Sequence, residues 1–312
     1  GKLGWFLALA VAAAGVTAYC VIPRVGLGKA SPLFRKLPLT SEFKFSNGES
    51  IRMPFQVWEG QHIMLVGTAA PEVAGPFLRD LGLYPLETSE GKPLAVIGAV
   101  RYGDCVAGSY NEFYLSFVAT KSPPSGSAAM RYVAFVLATN EYLAPLGNWL
   151  GMEQVSIVVW KMLVTTNLSL LAGREIWGYP KDLAPIEITT DAAGFGSIIS
   201  ARVLGEGENA VVASISFSEP EKFTWPWWTT MPVSIIGNTV TPRRFMHSHG
   251  NSRGDFLARI VPYDESKGHG FSLTPQCASV LGSDVLELDF RPWLWFDMPI
   301  FEAVLEAPYY TE

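Results

Sequence analysis

The stretch NEFYLSFVAT, Asn111 to Thr120, is rich in β-branched and aromatic residues and directly follows a Gly- and Ser-containing turn. Short stretches of this composition predict β-strands. Further stretches of the same kind, separated by Gly, Pro, Asn and Ser, are SIRMPFQVW (50–58), HIMLVGTA (62–69), LAVIGAV (94–100), RYVAFVLAT (131–139), SIVVWKMLV (156–164), PIEITT (185–190), SIISARVL (197–204), AVVASISFS (210–218), FLARIVPY (256–263) and VLELDF (285–290). The sequence therefore predicts a mainly β protein of the α+β type.

Helical segments are few in this sequence. Helix signals occur at Pro71–Leu81, Asn140–Leu150 and Asn167–Ala172. Because long helices do not alternate with the strands, an antiparallel barrel or sandwich is favoured over a doubly wound parallel sheet.

The amino-terminal residues 1–23 differ from the rest of the chain. Leu3 to Ile22 is uncharged and Ala-rich, and as a helix it would be about 30 Å long, the thickness of the hydrocarbon of a bilayer. Basic residues follow this segment more than they precede it, which favours a membrane anchor with a cytoplasmic catalytic domain. A cleaved signal peptide, giving a soluble or secreted protein, and a helix packed on the domain are the alternatives. Residues 24–40 are interpreted as a linker and residues 41–312 as one domain.

The composition excludes several classes of function. The chain has 23 basic and 29 acidic side chains, so it lacks the positive charge that a nucleic-acid partner requires. Cys20, Cys105 and Cys277 form no CxxC pair, which indicates neither a disulfide framework nor a thiolate zinc site. His247 and His249 form an HxH pair, but no third ligand stands at an informative spacing, and we predict no metal site. Glycine-rich GLG and GEGE lack the context of a dinucleotide-binding loop, so no cofactor is expected.

The segment GREIWGYPKDLA, Gly173 to Ala184, has features of an activated lysine site. Pro180 favours an extended conformation before it, so Lys181 should enter a strand directly after a tight bend. Burial beside Trp177 and Tyr179 would lower the pKa of a lysine and leave free amine as a nucleophile. The alternative is an exposed lysine paired with Asp182.

The pattern GRE-x-x-x-Y-P-K resembles the sequence around the Schiff-base lysine of the acetoacetate decarboxylase-like superfamily. GSYNEFYL, Gly108 to Leu115, resembles the Tyr-x-Glu segment of that family and precedes the lysine in the expected order. Looser similarity extends from FKFSNGE (43–49) to FDMPIFEAVLEAP (296–308). The resemblance implies an antiparallel β-barrel or cone of the acetoacetate decarboxylase type with a few short helices, and a homo-oligomer.

This resemblance also implies roles for individual residues. Lys181 would form an iminium ion with a ketone, and Glu112 would transfer protons, or else be a strand glutamate satisfied by backbone groups or by Arg174. Substrate-binding side chains would be Tyr110, Trp177, Tyr179 and Arg52. Arg174 and Glu175 would support the bend structurally.

The chain departs from the family pattern at three positions. Asp182 stands where the family has a second lysine, Gly48 stands where it has an arginine, and an ungapped alignment places Ile97 where it has another glutamate. Arg52 or Arg101 could replace the missing cation. The losses, together with TWPWW (224–228) and RPWLWF (291–296), indicate a larger or less acidic carbonyl substrate, although the tryptophans could instead be core or subunit-contact residues.

The resemblance thus implies a carbon–carbon lyase of secondary metabolism that acts on a β-keto or polyketide-like carbonyl compound. The reaction would be decarboxylation, or aldol, dehydration or cyclisation chemistry. A non-catalytic protein that binds an apolar carbonyl ligand on the same fold is the main alternative, and a membrane-tethered scaffold is a third.

Overall fold

The computed structural model describes residues 28–123, 155–191, 197–207, 210–217, 227–232, 235–238, 245–247, 253–305, 307 and 309–311. For 227–232, 235–238, 245–247, 253–260 and 309–311 it describes the backbone alone. The predicted anchor, the predicted strand 131–139, the predicted helix 140–150 and residues 224–226 of the TWPWW segment lie outside these ranges, as does His249. In the described ranges no helix combines the length and the apolarity needed to cross a membrane, and residues 1–23 stay a predicted anchor.

The described chain contains eighteen strands and four short α-helices. The strands are β1 Ser41–Lys44, β2 Ser50–Met53, β3 Phe55–Thr68, β4 Tyr84–Pro85, β5 Leu94–Cys105, β6 Tyr110–Thr120, β7 Val155–Val164, β8 Lys181–Leu183, β9 Ile186–Thr190, β10 Ile198–Leu204, β11 Val211–Phe217, β12 Trp227–Pro232, β13 Ile235–Asn238, β14 Phe245–His247, β15 Arg253–Pro262, β16 His269–Leu273, β17 Arg291–Leu305 and β18 Tyr309–Thr311. The α-helices are α1 Pro32–Lys36, α2 Pro71–Asp80, α3 Asn167–Leu171 and α4 Ala278–Leu281. A π-helix, Ala172–Ile176, continues α3, and 3₁₀ turns occupy Gly28–Ala30, Glu265–Lys267, Pro275–Cys277 and Ser283–Glu287.

The strands form three sheets. A 12-stranded sheet has the order β12-β15-β17-β3-β5-β6-β7-β13-β14-β18, with β4 paired to β6 and β8 paired to β7. A 4-stranded sheet has the order β16-β11-β10-β9, and β1 and β2 form a separate hairpin. The mainly β prediction is confirmed. Among the described strands no pairing joins β12 to β18, so the expected closed barrel is not seen, and β7 pairs in parallel with both β8 and β13.

Most sequence-predicted elements are present where they are described. The predicted helix at Pro71 is found as Pro71–Asp80, which begins with Pro in the first turn, where its missing N–H costs no hydrogen bond. The strand predicted for VLELDF is wrong, because Ser283–Glu287 forms a 3₁₀ turn that buries Val285 and Leu288. Alternating apolar residues at this spacing can be buried by a tight turn as well as by a strand.

The two faces of the 12-stranded sheet carry different cores. In β6, Phe113, Leu115 and Phe117 belong to a cluster that also contains Ala201 and Ile215 of the 4-stranded sheet. The alternate positions Tyr110, Tyr114 and Val118 belong to a second cluster, with Phe55, Val100, Val164, Trp177 and Tyr179. Successive strand residues point to opposite faces, so Glu112 lies on the side of this second cluster.

Part of the predicted linker packs on the domain. Leu33 and Phe34 of α1 are buried against Val304 of β17. The backbone N–H of Gly28 donates to Oε1 of the buried Glu302 at 3.0 Å. Residues 28–36 are therefore anchored to the same sheet that carries the candidate site.

Candidate active site

Strand pairing brings Glu112 and Lys181 together across β7. Glu112 of β6 pairs with Val164 of β7, and Lys181 of β8 pairs with Met162 of β7. Strands two apart in a sheet are separated by roughly 10 Å, which a lysine and a glutamate reaching toward each other can span. The lysine Nζ donates a hydrogen bond to Glu112 Oε2 at 2.8 Å.

This ion pair is almost fully removed from water. The side chains of Lys181 and Glu112 are 5% and 7% exposed. A buried ion pair contributes little net stability, because desolvation of both charges offsets their attraction. A contribution to folding stability therefore does not by itself explain why the pair is buried. The alternative of an exposed Lys181 paired with Asp182 is wrong.

Local backbone geometry directs the lysine into this position. Gly173 lies in the π-helix against the aliphatic stem of Lys181, where an added Cβ would be 2.2 Å from the lysine Cδ. Gly178 has a φ of +64°, a conformation that favours glycine. The N–H of Tyr179 donates to the carbonyl of Gly173 at 2.9 Å and closes the bend. The two glycines of the GREIWGYPK segment are thus required by close packing and by the turn.

Two charged side chains of the same segment secure neighbouring elements. Arg174 donates from Nε to the Lys181 carbonyl at 2.7 Å, and its Nη2 lies 2.6 Å from Asp182 Oδ1. Glu175 accepts hydrogen bonds from the backbone N–H and the hydroxyl of Ser46, at 2.9 and 2.5 Å. Arg174 therefore holds β8, and Glu175 holds the turn between β1 and β2. Both side chains therefore make structural contacts that connect this segment to its neighbours.

Aromatic side chains surround the pair. The lysine Nζ lies 5.6 Å from the ring centroid of Tyr110. Trp177 stacks on Tyr179 with ring centroids 6.0 Å apart and meets Phe55 edge-on at 5.4 Å. Tyr110, Trp177 and Tyr179, which the motif predicts as substrate-binding, all belong to the cluster on this face of the sheet. The amine therefore lies on the face of the sheet that carries this largely apolar cluster.

A second tyrosine, Tyr102, contacts the carboxylate. Its hydroxyl lies 3.4 Å from Glu112 Oε1, and its ring stacks on Tyr110 with centroids 4.2 Å apart. Desolvation raises the pKa of both tyrosines well above the ordinary value, and the Glu112 charge raises them further. Both phenols therefore stay protonated. Burial also raises the pKa of Cys105 to about 12, so this thiol is no nucleophile at neutral pH.

His62 and Tyr114 form a separate polar contact on this face. Their Nε2 and Oη atoms are 2.8 Å apart. Desolvation lowers the pKa of His62 to about 3, so the ring is neutral at physiological pH. Phe301 packs edge-on against both His62 and Tyr102.

The structure corrects the predicted role of Arg52. This side chain is exposed, donates to the Leu39 carbonyl at 3.3 Å, and points away from Ile51 and Met53, which join the cluster around the site. Arg52 therefore does not face the buried pair. Side chains alternate between the two faces of a strand, so Arg52 points to the face opposite that of Ile51 and Met53. The sequence motif did not show which face this would be.

The other positions considered for a lost polar group also lie elsewhere. Arg101 donates to Gln61 at 2.8 Å and pairs across strands with Asn111, so it lies on the opposite face from Glu112. Ile97 belongs to the core cluster of that opposite face. Gly48 occupies an exposed turn with a φ of +91°. None of these three supplies a charge beside the pair.

Metal ligands are not gathered anywhere in the part of the chain that the structure describes, where no group of three His, Cys, Asp or Glu side chains is placed to hold an ion. His247 lies in β14 and its predicted partner His249 lies outside the described residues.

Of the RPWLWF tryptophans, Trp295 is 1% exposed and part of the core, as the core-packing alternative predicts.

Tyr102 and the lysine contact of Gly173 were missed by the sequence reasoning. A count across the β5–β6 hairpin pairs Tyr102 with Tyr110, so a register assignment could have found it. Gly173 stands in the quoted motif, but only the packed structure shows that its missing side chain leaves room for the lysine stem.

The fold and site define a mainly β protein with a buried lysine–glutamate pair. Residues 83–222 match the sequence model of the acetoacetate decarboxylase (ADC) family. Over these residues, which make up less than half of the chain, the sequence is similar to that family, in agreement with its motifs. No curated protein matches the chain in sequence.

Among solved structures, an acetoacetate decarboxylase is similar with a TM-score of 0.50 at 12% identity, over 83% of this chain and 90% of that one. The acetoacetate decarboxylase of Legionella pneumophila subsp. pneumophila str. Philadelphia 1 is similar over 83% of this chain and 87% of its own, with a TM-score of 0.48 and 12% identity. The enduracididine biosynthesis enzyme MppR, in complex with pyruvate, is similar over 93% of this chain and 98% of its own, with a TM-score of 0.48 and 15% identity. At such identities the likeness is one of fold.

Proposed function

We propose that the chain is a lysine-iminium enzyme acting on a β-keto or polyketide-like carbonyl compound. The observation that carries this proposal is the 2.8 Å hydrogen bond between Lys181 Nζ and Glu112 Oε2 in a site from which water is almost excluded. A lysine nucleophile needs a neutral amine, and a neighbouring carboxylate can accept its proton.

In this mechanism the proton passes from Lys181 to Glu112, and the amine nitrogen attacks the carbonyl carbon of the substrate. Glu112 returns the proton to the alkoxide oxygen and then carries a second proton from the nitrogen to the resulting hydroxyl group, which leaves as water and produces an iminium ion. The iminium accepts the electron pair of a neighbouring C–COO⁻ bond, releasing carbon dioxide, or of a C–H bond whose proton goes to Glu112. Either route gives an enamine. Protonation, or attack on a second carbonyl group, followed by hydrolysis of the imine frees the lysine.

The surrounding residues favour an apolar substrate. Tyr110 presents its ring to the amine, and Trp177 and Tyr179 belong to the same aromatic cluster. Such surfaces bind apolar groups while a few polar atoms fix orientation. Decarboxylation and aldol or dehydration chemistry share the enamine, so both remain within the proposal.

Deuterium exchange tests the shared step without knowledge of the natural substrate. Acetone and the larger 4-phenyl-2-butanone are incubated in D₂O, and α-deuteration is followed by NMR. The wild-type chain should catalyse exchange. Lys181→Arg should lower it to the buffer background, because arginine stays protonated, and Glu112→Gln should slow it about a hundredfold.

Lys161→Arg is the matched control for this experiment. Lys161 lies on neighbouring β7 but pairs with Asp284 at 2.9 Å, so its replacement should leave exchange unchanged. Wild-type exchange in Lys181→Arg, or no exchange by the wild-type chain with either ketone, would contradict the proposal.

A further inference from the structure

Strand register places two tyrosines beside the carboxylate of Glu112. Tyr102 of β5 is directly opposite Tyr110 of β6, and the next pair on the same face is Val100 with Glu112. The tyrosine rings are stacked with an interplanar angle of 21°. Their hydroxyl groups are therefore held side by side by the backbone pairing.

The carboxylate of Glu112 has two oxygens with different partners. Oε2 accepts from Lys181 at 2.8 Å, and Oε1 accepts from the Tyr102 hydroxyl at 3.4 Å. The second distance is long for an O–H···O bond, but hydrogen bonds of catalytic groups commonly shorten when substrate binds. With both oxygens engaged, rotation of the carboxylate is restricted.

Tyr110 supports Tyr102 from the other side. A hydrogen bond between the two hydroxyls lowers the pKa of Tyr102 and raises the pKa of Tyr110. Because the single hydroxyl proton of Tyr102 goes to the Glu112 carboxylate, which only accepts, Tyr110 is the donor in the bond between the two phenols.

We propose that Tyr102 is a positioning residue: its hydroxyl holds Glu112 Oε1 so that Oε2 stays aligned with the nitrogen of Lys181. The proposal rests on the proposed function, because it assigns to Tyr102 an effect on the proton transfers of Glu112. Tyr102 itself does not exchange protons with the substrate in this scheme.

Tyr102→Phe removes the hydroxyl and keeps the stacked ring. We expect α-deuteration of acetone to fall about tenfold, the effect of losing one hydrogen bond to a charged group. Borohydride-trapped adduct at Lys181 should still reach the wild-type extent after long incubation, because the amine and its acceptor oxygen remain. A slower exchange rate with an unchanged yield of adduct would distinguish a positioning role from a general loss of structure, because a loss of structure would lower both.

The pH profile gives a second readout. The ionisable groups near Glu112 in the described residues are Lys181, Tyr102, Cys105, Tyr110 and Tyr114. Loss of a donor to a carboxylate favours its protonated form. The acid limb of the exchange rate should therefore move to higher pH in Tyr102→Phe.

Tyr114→Phe is the matched control. Tyr114 lies on the same strand face two residues beyond Glu112, and its hydroxyl is bonded to His62 instead. Its exchange rate and acid limb should match the wild-type values. Should Tyr102→Phe not fold, Tyr110→Phe tests the same network and should move the acid limb in the same direction by less.

The outcomes separate the two proposals. Wild-type exchange rate and acid limb in folded Tyr102→Phe, or in Tyr110→Phe where the first variant does not fold, would overturn the positioning role alone. An equal fall in Tyr114→Phe would also overturn it, since any buried hydroxyl would then matter. No exchange and no adduct in the wild-type chain would overturn the proposed function itself.

Discussion

The lysine reaches its partner because a single residue beside it has no side chain. The aliphatic stem of Lys181 passes over Gly173, and Nζ ends 2.8 Å from Glu112. A lysine of ordinary flexibility would adopt many rotamers, and close packing limits them. The position of the amine is thus determined both by β8, which contains Lys181, and by the π-helix, whose Gly173 packs against the lysine side chain.

Gly173→Ala should misplace the lysine. The new methyl carbon would be 2.2 Å from the Lys181 Cδ, so the stem must shift. We expect deuterium exchange to fall at least about tenfold and the free energy of unfolding to fall by about 1–3 kcal/mol, the usual cost of overpacking. Urea denaturation and the exchange assay measure the two effects.

Gly75→Ala in α2 is its control. There the nearest atom to an added Cβ is the flexible Arg79 guanidinium at 3.1 Å, and alanine is favoured in helices by about 1 kcal/mol over glycine. Exchange should be unchanged. An unchanged rate in Gly173→Ala as well would show that the lysine does not depend on this gap.

The sequence predicted individual candidate-site residues where they belong to a recognisable motif. Lys181 and Glu112 were predicted from the YPK and Tyr-x-Glu segments, and the structure brings them together. Arg52 was misassigned because alternation along β2 turns its side chain away from the cluster around the site. Tyr102 was missed because its contact with Glu112 follows from the β5–β6 register.

The π-helix and β8 act as one element around the lysine. Arg174 bonds the Lys181 carbonyl at 2.7 Å and pairs with Asp182, whose side chain is 64% exposed. An exposed ion pair contributes little stability, whereas a hydrogen bond to a backbone carbonyl that positions a strand contributes more.

Arg174→Ala and Asp182→Asn separate these two contacts. Arg174→Ala should reduce the free energy of unfolding by about 1–2 kcal/mol and slow exchange, because β8 loses its anchor. Asp182→Asn should change stability by less than about 0.5 kcal/mol and leave exchange intact. Equal effects in urea denaturation would mean that the ion pair, and not the carbonyl contact, holds the strand.

Element types could be predicted better than their arrangement. β-branched and aromatic composition indicated most described strands, and Pro71 marked the start of a helix. VLELDF failed because its alternating apolar residues are buried by a 3₁₀ turn. The π-helix was not predicted, because π-helices are rare and occur mostly as single turns within α-helices.

At the scale of the whole molecule, the 12-stranded sheet carries a different hydrophobic cluster on each face. One face carries the core shared with the 4-stranded sheet, and the other carries the aromatic cluster with the ion pair. The mainly β class followed from the sequence, whereas sheet order and the parallel β7–β8 pairing depend on contacts distant in the chain. That parallel pairing aligns Lys181 with Glu112 across β7.

The most direct test of a reactive amine at Lys181 is borohydride trapping of the whole chain with a ketone. After incubation with acetone and reduction, the chain is digested and mapped by mass spectrometry. An isopropyl adduct is expected on the peptide carrying Lys181 and on no other lysine at comparable yield, because Lys181 pairs with a buried carboxylate whereas Lys29 and Lys161 pair with exposed ones. Equal labelling of all lysines, or an unmodified Lys181, would contradict the claim that this buried pair provides the nucleophile.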